Sequence, residues 1–288
     1  MAANIIAQED LQVFKKELIE EIKNLLSKQQ PIASLLPRED PDIADAIYKA
    51  MTAKEINIVT GAAVKGVRNS ANGNVIVKFK NTDGREKEIE GSAVLVATGR
   101  KPNLDGLDVN AAGTKTNAKG FLEVDDQLKT NVRNIWAIGD INGGSQFTYI
   151  SLDDFRIIRD QLFGGDYTST TKRKEVASSV FITPPYAHIG LREKDALARG
   201  HRVKIAKLPA AAIPRARILN STQGLLKSVV DADTNKILGC SLFCVGASEM
   251  INTIQVAMNA GLDYPIIRDT IFTHPSMTEV FNDLYASL

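Results

Sequence analysis

The sequence predicts an α/β region followed by a separate α+β domain, and three stretches carry that prediction. Residues 135–138 form a short apolar run that ends in Gly139 and Asp140, which is typical of a buried parallel strand presenting a carboxylate at its carboxyl end. Residues 175–288 alternate short strands with short helices, which indicates an α+β domain. The polar stretch 166–174, rich in Thr and Ser, separates the two regions.

The composition is that of an ordinary globular protein, with a length that suggests two domains. Of its 288 residues, 44% are hydrophobic and 24% charged, and the formal net charge is +1. A charge so near neutrality gives no sign of nucleic acid or an acidic membrane surface as partner. No apolar run approaches the roughly 20 residues that span a bilayer, and the start of the chain lacks signal-peptide features. We therefore predict a cytoplasmic protein without nucleic-acid, membrane or metal partners.

The first part of the chain is predicted to form two helices and a β-meander. Apolar residues recur at helical spacing within 8–29, and this helix either forms a coiled-coil seam or packs against its own domain. A second helix begins at Asp40 and Pro41, where aspartate suits the cap and proline the first helical position. Strands, with an Asn-Gly and an Asp-Gly turn among them, are predicted at 56–59, 63–68, 74–80, 86–90 and 93–97.

The remaining predicted elements follow the apolar run at 135–138. A helix at 149–163 ends at the glycines Gly164 and Gly165. Beyond the polar stretch, the pattern predicts strands at 180–182, 203–208, 224–230 and 237–245 and helices at 193–199, 248–260 and 265–270, before residues 277–288 close the chain.

Four motifs occur in a fixed order: ATGRKPN at 97–103, TNVRNIWAIGD at 130–140, FITPPYAHIGLREKDA at 181–196 and FTHPSMTE at 272–279. In that order and spacing they resemble the pyridine nucleotide-disulfide oxidoreductases, the flavoproteins related to glutathione reductase, dihydrolipoamide dehydrogenase and mercuric reductase. The resemblance covers roughly residues 32–288. Two further segments, 143–164 and 207–218, look most like a bacterial subgroup that reduces hypothiocyanous acid, related oxidants or metal ions.

The resemblance implies an incomplete FAD/NAD(P)-binding Rossmann-like region followed by an α+β dimerisation domain. It divides the chain into an unrelated amphipathic helix at 1–30, a partial NAD(P)-binding domain at 31–97, the C-terminal part of a FAD-binding domain at 98–174, and a dimerisation domain at 175–288. It also implies FAD and NAD(P)H as cofactors, a homodimer formed through the C-terminal domain, and a disulfide or small-molecule oxidant as substrate.

The resemblance assigns FAD contacts to two loops. Asp140 would hydrogen-bond the ribityl chain, and Gly139 would permit the close approach. Thr98, Gly99 and Arg100 would line the crossing between the two nucleotide domains. The alternative is that Gly139 and Asp140 only begin a turn, and that Arg100 is an ordinary surface cation.

The start of the helix at 149–163 is the third flavin contact that the resemblance implies. Thr148 and Tyr149 would lie near the flavin ring. The helix N-terminus, with its partial positive charge, would favour negative charge on the reduced flavin.

His274 is the candidate acid/base residue. In the family, the corresponding histidine reaches the other subunit's active site and exchanges protons with a thiol, oriented by a glutamate that Glu279 matches. An imidazole titrates near neutrality and suits this role. The alternative is that Ser276 and Glu279 form a capping box that begins a helix. The two roles are compatible.

The remaining histidines and both cysteines carry no such context. Cys240 and Cys244 lie four residues apart in an apolar strand, so their side chains share a face but stand roughly 13 Å apart, too far for a disulfide. They are predicted to be core residues, and His188 and His201 are predicted to be structural or exposed.

The sequence departs from the family in its cofactor and redox motifs. Neither of the family's two G-x-G-x-x-G fingerprints is present, and both exist to seat a pyrophosphate on a helix N-terminus. The redox-active CxxxxC pair is absent as well. We therefore expect a truncated chain that is inactive alone. It is either part of an oxidoreductase that acts when the missing portion is supplied, or a non-catalytic dimerising remnant.

Overall fold

The computed structural model describes residues 35–288, which divide into two compact units. One unit joins the described residues up to Val96 with Glu175–Leu288, and the other is Ala97–Lys174. The helix predicted at 8–29 lies outside the described residues, and the division of the chain into four domains stays a prediction. No helix within 35–288 is long and apolar enough to cross a membrane.

The first unit opens with an amphipathic helix and a three-stranded meander. Helix α1, Pro41–Thr52, has proline at its first position, as predicted, and buries Ile43, Ile47 and Ala50 along one face. Asn-Gly and Asp-Gly turns join the strands that follow, so the predicted meander is confirmed. These strands pair antiparallel in chain order: β1, Ala63–Asn69, β2, Val75–Lys80, and β3, Glu86–Gly91.

The second unit consists mainly of loops and turns around one long helix. A four-residue 3-10 turn, Gly139–Asn142, precedes this helix. Helix α2, Thr148–Phe163, ends at Gly164 with φ +84°, so the predicted glycine stop is confirmed. It buries Ile150 and Ile157 on one face.

The rest of the first unit is a five-stranded antiparallel sheet with helices, which confirms the α+β class predicted here. Side by side, the strands are β4, Ser178–Val180, β5, Tyr186–Gly190, β8, Ile237–Phe243, β7, Leu225–Asp231, and β6, Val203–Pro209. The helices are α3, Glu193–Ala198, α4, Pro214–Ile218, α5, Ala247–Asn259, α6, Tyr264–Arg268, and α7, Val280–Ala286.

The core of this sheet is filled by side chains from its strands and from α5 and α7. Leu226 on β7, Ile251 on α5 and Phe281 on α7 belong to one buried cluster. Tyr285 is fully buried too, with its hydroxyl 3.0 Å from the Ser228 hydroxyl. Burying a side chain of this size contributes roughly 1.5–3 kcal/mol, so these contacts hold the helices against the sheet.

Helix α1 is fastened to this sheet by an ion pair and by apolar packing. Glu39, just before the helix, accepts two hydrogen bonds from the Arg192 guanidinium, at 2.7 and 2.8 Å, and another from the Tyr186 hydroxyl. On the apolar side, Ile43 belongs to the same buried cluster as Phe243. Two-point contact of a guanidinium with a carboxylate fixes direction as well as distance, so the start of α1 has a defined orientation.

A buried lysine completes this attachment. Lys227 on β7 is 2% exposed, and its Nζ lies 2.9 Å from Asp40, 3.1 Å from Asp42 and 2.7 Å from Glu193. Asp40 also accepts the Glu193 backbone amide at 3.1 Å and so caps α3 from outside that helix. Burial alone would lower the pKa of Lys227, but the three carboxylates outweigh burial and raise it.

The buried parallel strand predicted at 135–138 is absent. Trp136 makes one isolated antiparallel bridge, with Lys129, and Ile138 is 38% exposed. The ladders within residues 35–288 are antiparallel throughout. A short apolar run extends into a strand only where a partner takes its hydrogen bonds along its length. Here the run bonds to residues 128–130 through two backbone hydrogen bonds, from the Ala137 amide to the Leu128 carbonyl and from the Thr130 amide to the Ile135 carbonyl, which make a single bridge and no longer ladder.

Three further strand predictions need correction. The runs at 56–59 and 93–97 pair with no strand in the described part of the chain, and Leu95 is 90% exposed. Of the strand predicted at 180–182, only Val180 is in a strand, as the last residue of β4, and Phe181 is 82% exposed. Strand β5 was missed because Tyr186–Gly190 is buried almost throughout and therefore shows no alternation of polar and apolar residues.

Replacing Lys227 by Met is expected to lower the free energy of unfolding by about 3–5 kcal/mol, because three carboxylates then lose their buried cation. Lys207→Met is the matched control. Its ammonium also contacts Asp42, at 2.6 Å, but its side chain is 45% exposed, so we expect a loss below about 1 kcal/mol. Urea unfolding measures both. Equal losses would contradict a special role for the buried ammonium.

Candidate functional site

The turn Gly139–Asn142 presents the predicted cofactor aspartate to solvent. Asp140 lies in this turn with its side chain 51% exposed, and its Oδ2 is 3.7 Å from Nη1 of Arg100. The structure thus brings together two of the predicted site residues, 40 positions apart in sequence. Both groups are exposed, so the ion pair contributes little to stability, and the carboxylate is accessible to other hydrogen-bond donors.

The loop that carries Arg100 also contains the other two predicted crossing residues. Gly99 adopts φ +115°, a conformation that side-chain-bearing residues rarely take, and a Cβ placed there would meet no atom within 4 Å. Thr98 is half-buried beside it. The glycine is therefore explained by backbone conformation and not by crowding.

Gly139 is required by its conformation and by close packing. Its φ is +70°, and a Cβ at this position would lie 2.6 Å from the Ser151 hydroxyl oxygen on α2. Its amide donates a hydrogen bond of 2.9 Å to Oδ2 of Asp154. Local packing therefore explains this glycine without a ligand, and its predicted role in cofactor approach stays a prediction.

A buried carboxylate behind the turn was missed by the sequence reasoning. Asp154 is 1% exposed, and its Oδ2 also accepts a hydrogen bond of 3.2 Å from the Asn142 side-chain amide. Arg173 donates to its Oδ1 and, at 2.6 Å, to the neighbouring Asp153. The acidic pair at 153–154 was visible in the sequence, but nothing local shows which member is buried or which cation pairs with it.

Thr148 and Tyr149 form the first turn of α2, as predicted. The ring of Tyr149 stacks on that of Phe147, with centroids 5.0 Å apart and planes 8° from parallel. Partial burial raises the pKa of the Tyr149 hydroxyl, so it stays protonated near neutrality. The stacked pair forms a flat aromatic surface at the N-terminal end of the helix.

These residues of the second unit fit one end of a flavin nucleotide. An accessible carboxylate accepts hydrogen bonds from hydroxyl groups such as those of a ribityl chain. A flat aromatic pair at a helix N-terminus suits an aromatic ring that gains negative charge. The glycine-rich fingerprints that seat a pyrophosphate on a helix N-terminus are absent from these 288 residues.

The second candidate site, in the first unit, is the pair of His274 and Glu279. Nδ1 of His274 lies 2.7 Å from Oε2 of Glu279, and the histidine side chain is 70% exposed. The other carboxylate oxygen accepts the Ser276 amide at 3.1 Å, and the Ser276 hydroxyl accepts the Glu279 amide at 3.2 Å. The reciprocal hydrogen bonds of a capping box and an imidazole held by Glu279 are therefore both present. They lie in the turn before α7, which begins at Val280.

The other histidines and the cysteines have structural surroundings, as predicted. His188 is buried between the Ser241 hydroxyl and the Gly190 carbonyl, and burial lowers its pKa. His201 pairs with Asp231 at 2.8 Å. Burial raises the pKa of both thiols, to about 12 for Cys244, so both stay protonated and unreactive. The other thiol is that of Cys240, which is also buried.

Two family models match the chain along most of its length. The model described as pyridine nucleotide-disulphide oxidoreductase matches residues 30–154. The model described as the dimerisation domain of the same oxidoreductases matches residues 176–285. Among residues 35–288 there is no group of three or more His, Cys, Asp or Glu placed to hold a metal ion.

Individual relatives point the same way. The probable pyridine nucleotide-disulfide oxidoreductase RclA of Escherichia coli is 45% identical over 251 residues, which are 87% of this chain and 56% of the relative. A mercuric reductase of Bacillus cereus is 34% identical over 245 residues, covering 85% of this chain and 38% of the relative. The solved structure of the HOCl-induced flavoprotein disulfide reductase RclA from Escherichia coli matches with a TM-score of 0.83 at 45% identity, over 88% of this chain and 57% of that one. The chain thus spans roughly half the length of these relatives.

Replacing Gly139 by Ala is expected to destabilise the protein by about 2–4 kcal/mol, because the left-handed conformation costs roughly 1–2 kcal/mol for L-residues and the new methyl group meets Ser151. Gly164→Ala is the control. That residue also has positive φ, but a Cβ there meets nothing within 4 Å, so only the conformational cost remains. Thermal unfolding of both variants measures the difference, and equal shifts would show that the contact with Ser151 is unimportant.

Replacing Ser276 by Ala is expected to cost about 1 kcal/mol, because the Glu279 amide loses its cap. Replacing the exposed His274 by Ala should cost less than about 0.5 kcal/mol. Chemical denaturation compares the two variants. A larger cost for the histidine would mean that it serves the fold of this segment.

Proposed function

The chain belongs to the pyridine nucleotide-disulphide oxidoreductase family, and from this premise we propose that it forms part of an FAD-dependent, NAD(P)H-oxidising reductase. The predicted fold class, a Rossmann-like nucleotide-binding region followed by an α+β dimerisation domain, is confirmed by the same matches. Within the reductase, this chain contributes contacts to the ribityl chain and ring of the flavin, and the surface for homodimer formation.

The observation that carries the proposal is the exposed Asp140 carboxylate on its glycine-led turn. We assign it the acceptance of hydrogen bonds from the ribityl hydroxyls, with Gly139 shaping the turn. Thr98, Gly99 and Arg100 line the neighbouring loop. Bound FAD would supply the means to take a hydride from NAD(P)H and pass two electrons to a substrate.

The helix start contributes positioning and electrostatics. Thr148 and Tyr149 lie at the N-terminal end of α2, where the backbone amides carry partial positive charge. We assign this end to the ring of the flavin, whose reduced form carries negative charge. The Tyr149 ring, stacked on Phe147, excludes water from one side of that position.

His274 is assigned the role of acid/base in the partner subunit's active site. Glu279 holds the imidazole through Nδ1 at 2.7 Å, which leaves Nε2 to exchange a proton with a thiol. This pairing resembles the arrangement in which a carboxylate fixes the tautomer and orientation of a catalytic histidine.

We propose a disulfide or a small-molecule oxidant as the substrate. The RclA relative is described as an HOCl-induced flavoprotein disulfide reductase, and one of its structures is a Cu(II) complex. The sequence of this chain holds neither the CxxxxC pair nor the glycine-rich fingerprints, so we propose that turnover needs the complementary portion of a reductase. The second candidate, which the same absences favour, is a non-catalytic dimerising remnant.

The purified chain alone is expected to be a colourless dimer, since the main anchor of each cofactor is absent; stoichiometric FAD would overturn this. Fused to the N-terminal portion of the Escherichia coli relative, it is expected to bind FAD, with visible absorbance that NAD(P)H bleaches. In this fusion, Asp140→Ala should weaken FAD binding about 10- to 100-fold, as expected for loss of hydrogen bonds to a charged group.

The control in the fusion is Asp105→Ala, which removes another exposed aspartate of the same unit and should leave FAD affinity unchanged. A fusion that folds as a dimer but stays colourless would contradict the flavin role and favour the remnant. Equal effects of the two substitutions would contradict the assignment of Asp140.

A further inference from the structure

The turn that presents Asp140 is held from behind by one buried carboxylate. Oδ2 of Asp154 accepts the Gly139 amide at 2.9 Å and the Asn142 side-chain amide at 3.2 Å, so it contacts both ends of the turn. The Asn142 amide also donates to the Ala137 carbonyl at 3.2 Å. The Gly139 backbone and the Asn142 side chain, on either side of Asp140, are thus tied to a single buried oxygen.

This contact decides where Asp140 points. The chain is extended at Ile138, with φ −122° and ψ 155°, and reverses at Gly139, with φ +70°. Rotation of the peptide between these two residues would swing Asp140 away from its position beside Arg100. The hydrogen bond from the Gly139 amide to a side chain of the rigid helix α2 prevents that rotation.

The Asp154 carboxylate pairs with a cation that the neighbouring Asp153 shares. Arg173 donates to Oδ1 of Asp154 and, through Nε at 2.6 Å, to Asp153. Asp153 also accepts the Tyr167 hydroxyl at 3.0 Å but makes no contact with the turn. Two adjacent carboxylates therefore share one guanidinium, and only Asp154 reaches Gly139.

We propose that Asp154 is the positioning residue of the cofactor-binding aspartate: it fixes the Gly139–Asn142 turn so that the Asp140 carboxylate is held ready for hydroxyl donors. Arg173 supports it by holding its other carboxylate oxygen in an ion pair. The identity of the ligand rests on the proposed function, whereas the ordering of the turn does not.

The test is hydrogen exchange of the full chain, which needs no cofactor. In Asp154→Ala, amides of residues 138–142 are expected to exchange at least tenfold faster, because the Gly139 amide loses its acceptor. Asp153→Ala is the matched control. It removes a carboxylate from the same guanidinium and leaves the contact with Gly139 intact, so exchange in this turn should change less than twofold. Equal acceleration in both variants, or none in Asp154→Ala, would overturn the proposal.

FAD affinity of the fusion protein separates positioning from general stability. Asp154→Ala should weaken FAD binding at least tenfold and Asp153→Ala less than twofold, even where their unfolding temperatures match. If Asp154→Ala does not fold, Asn142→Ala replaces it in both assays, with at least threefold effects expected. Faster exchange without loss of FAD affinity in either Asp154→Ala or Asp140→Ala would refute the flavin assignment while leaving the ordering of the turn intact. If Asp140→Ala weakens FAD binding but Asp154→Ala does not, the proposal that Asp154 positions Asp140 would be refuted.

Discussion

The ammonium group of Lys227 is the constraint on which the first unit depends. A buried charge of this kind is stable only with its counterions in place, and two of the three, Asp40 and Asp42, come from the start of α1. The third, Glu193, begins α3. The sheet, α1 and α3 therefore cannot reach their final packing separately, because each supplies part of one charge-balanced cluster.

The second unit uses the same physics on a smaller scale. The buried pair of Asp154 and Arg173 lies behind a turn whose exposed residue, Asp140, is the one suited to a ligand. In the first unit, His274 is similarly exposed, and Glu279 behind it is mostly buried. In both places the reactive or binding group faces solvent, while a less exposed carboxylate sets its orientation.

Local sequence signals were sufficient where the physics is local. Helices α1 and α2 followed from apolar spacing with a proline start or a glycine stop, and the meander from its two turn dipeptides. The apolar runs at 93–97 and 135–138 were wrongly predicted to be strands, because a strand depends on partners that the run itself does not specify. Nothing in the local sequence indicated the buried ion pairs of Lys227, since its partner Asp42 lies 185 residues earlier. The family motifs implied that Asp140 and Arg100 both serve the cofactor, but the ion pair between them was not predicted.

Glu279 serves two purposes through its two oxygens, one facing the Ser276 amide and the other facing His274. Selection for a well-formed turn before α7 would therefore preserve the acid even in a descendant that had lost all chemistry. Conservation of this glutamate would thus be weak evidence for catalysis. The exposed histidine, which contributes little to folding, is the more informative marker of whether a lineage still performs redox work.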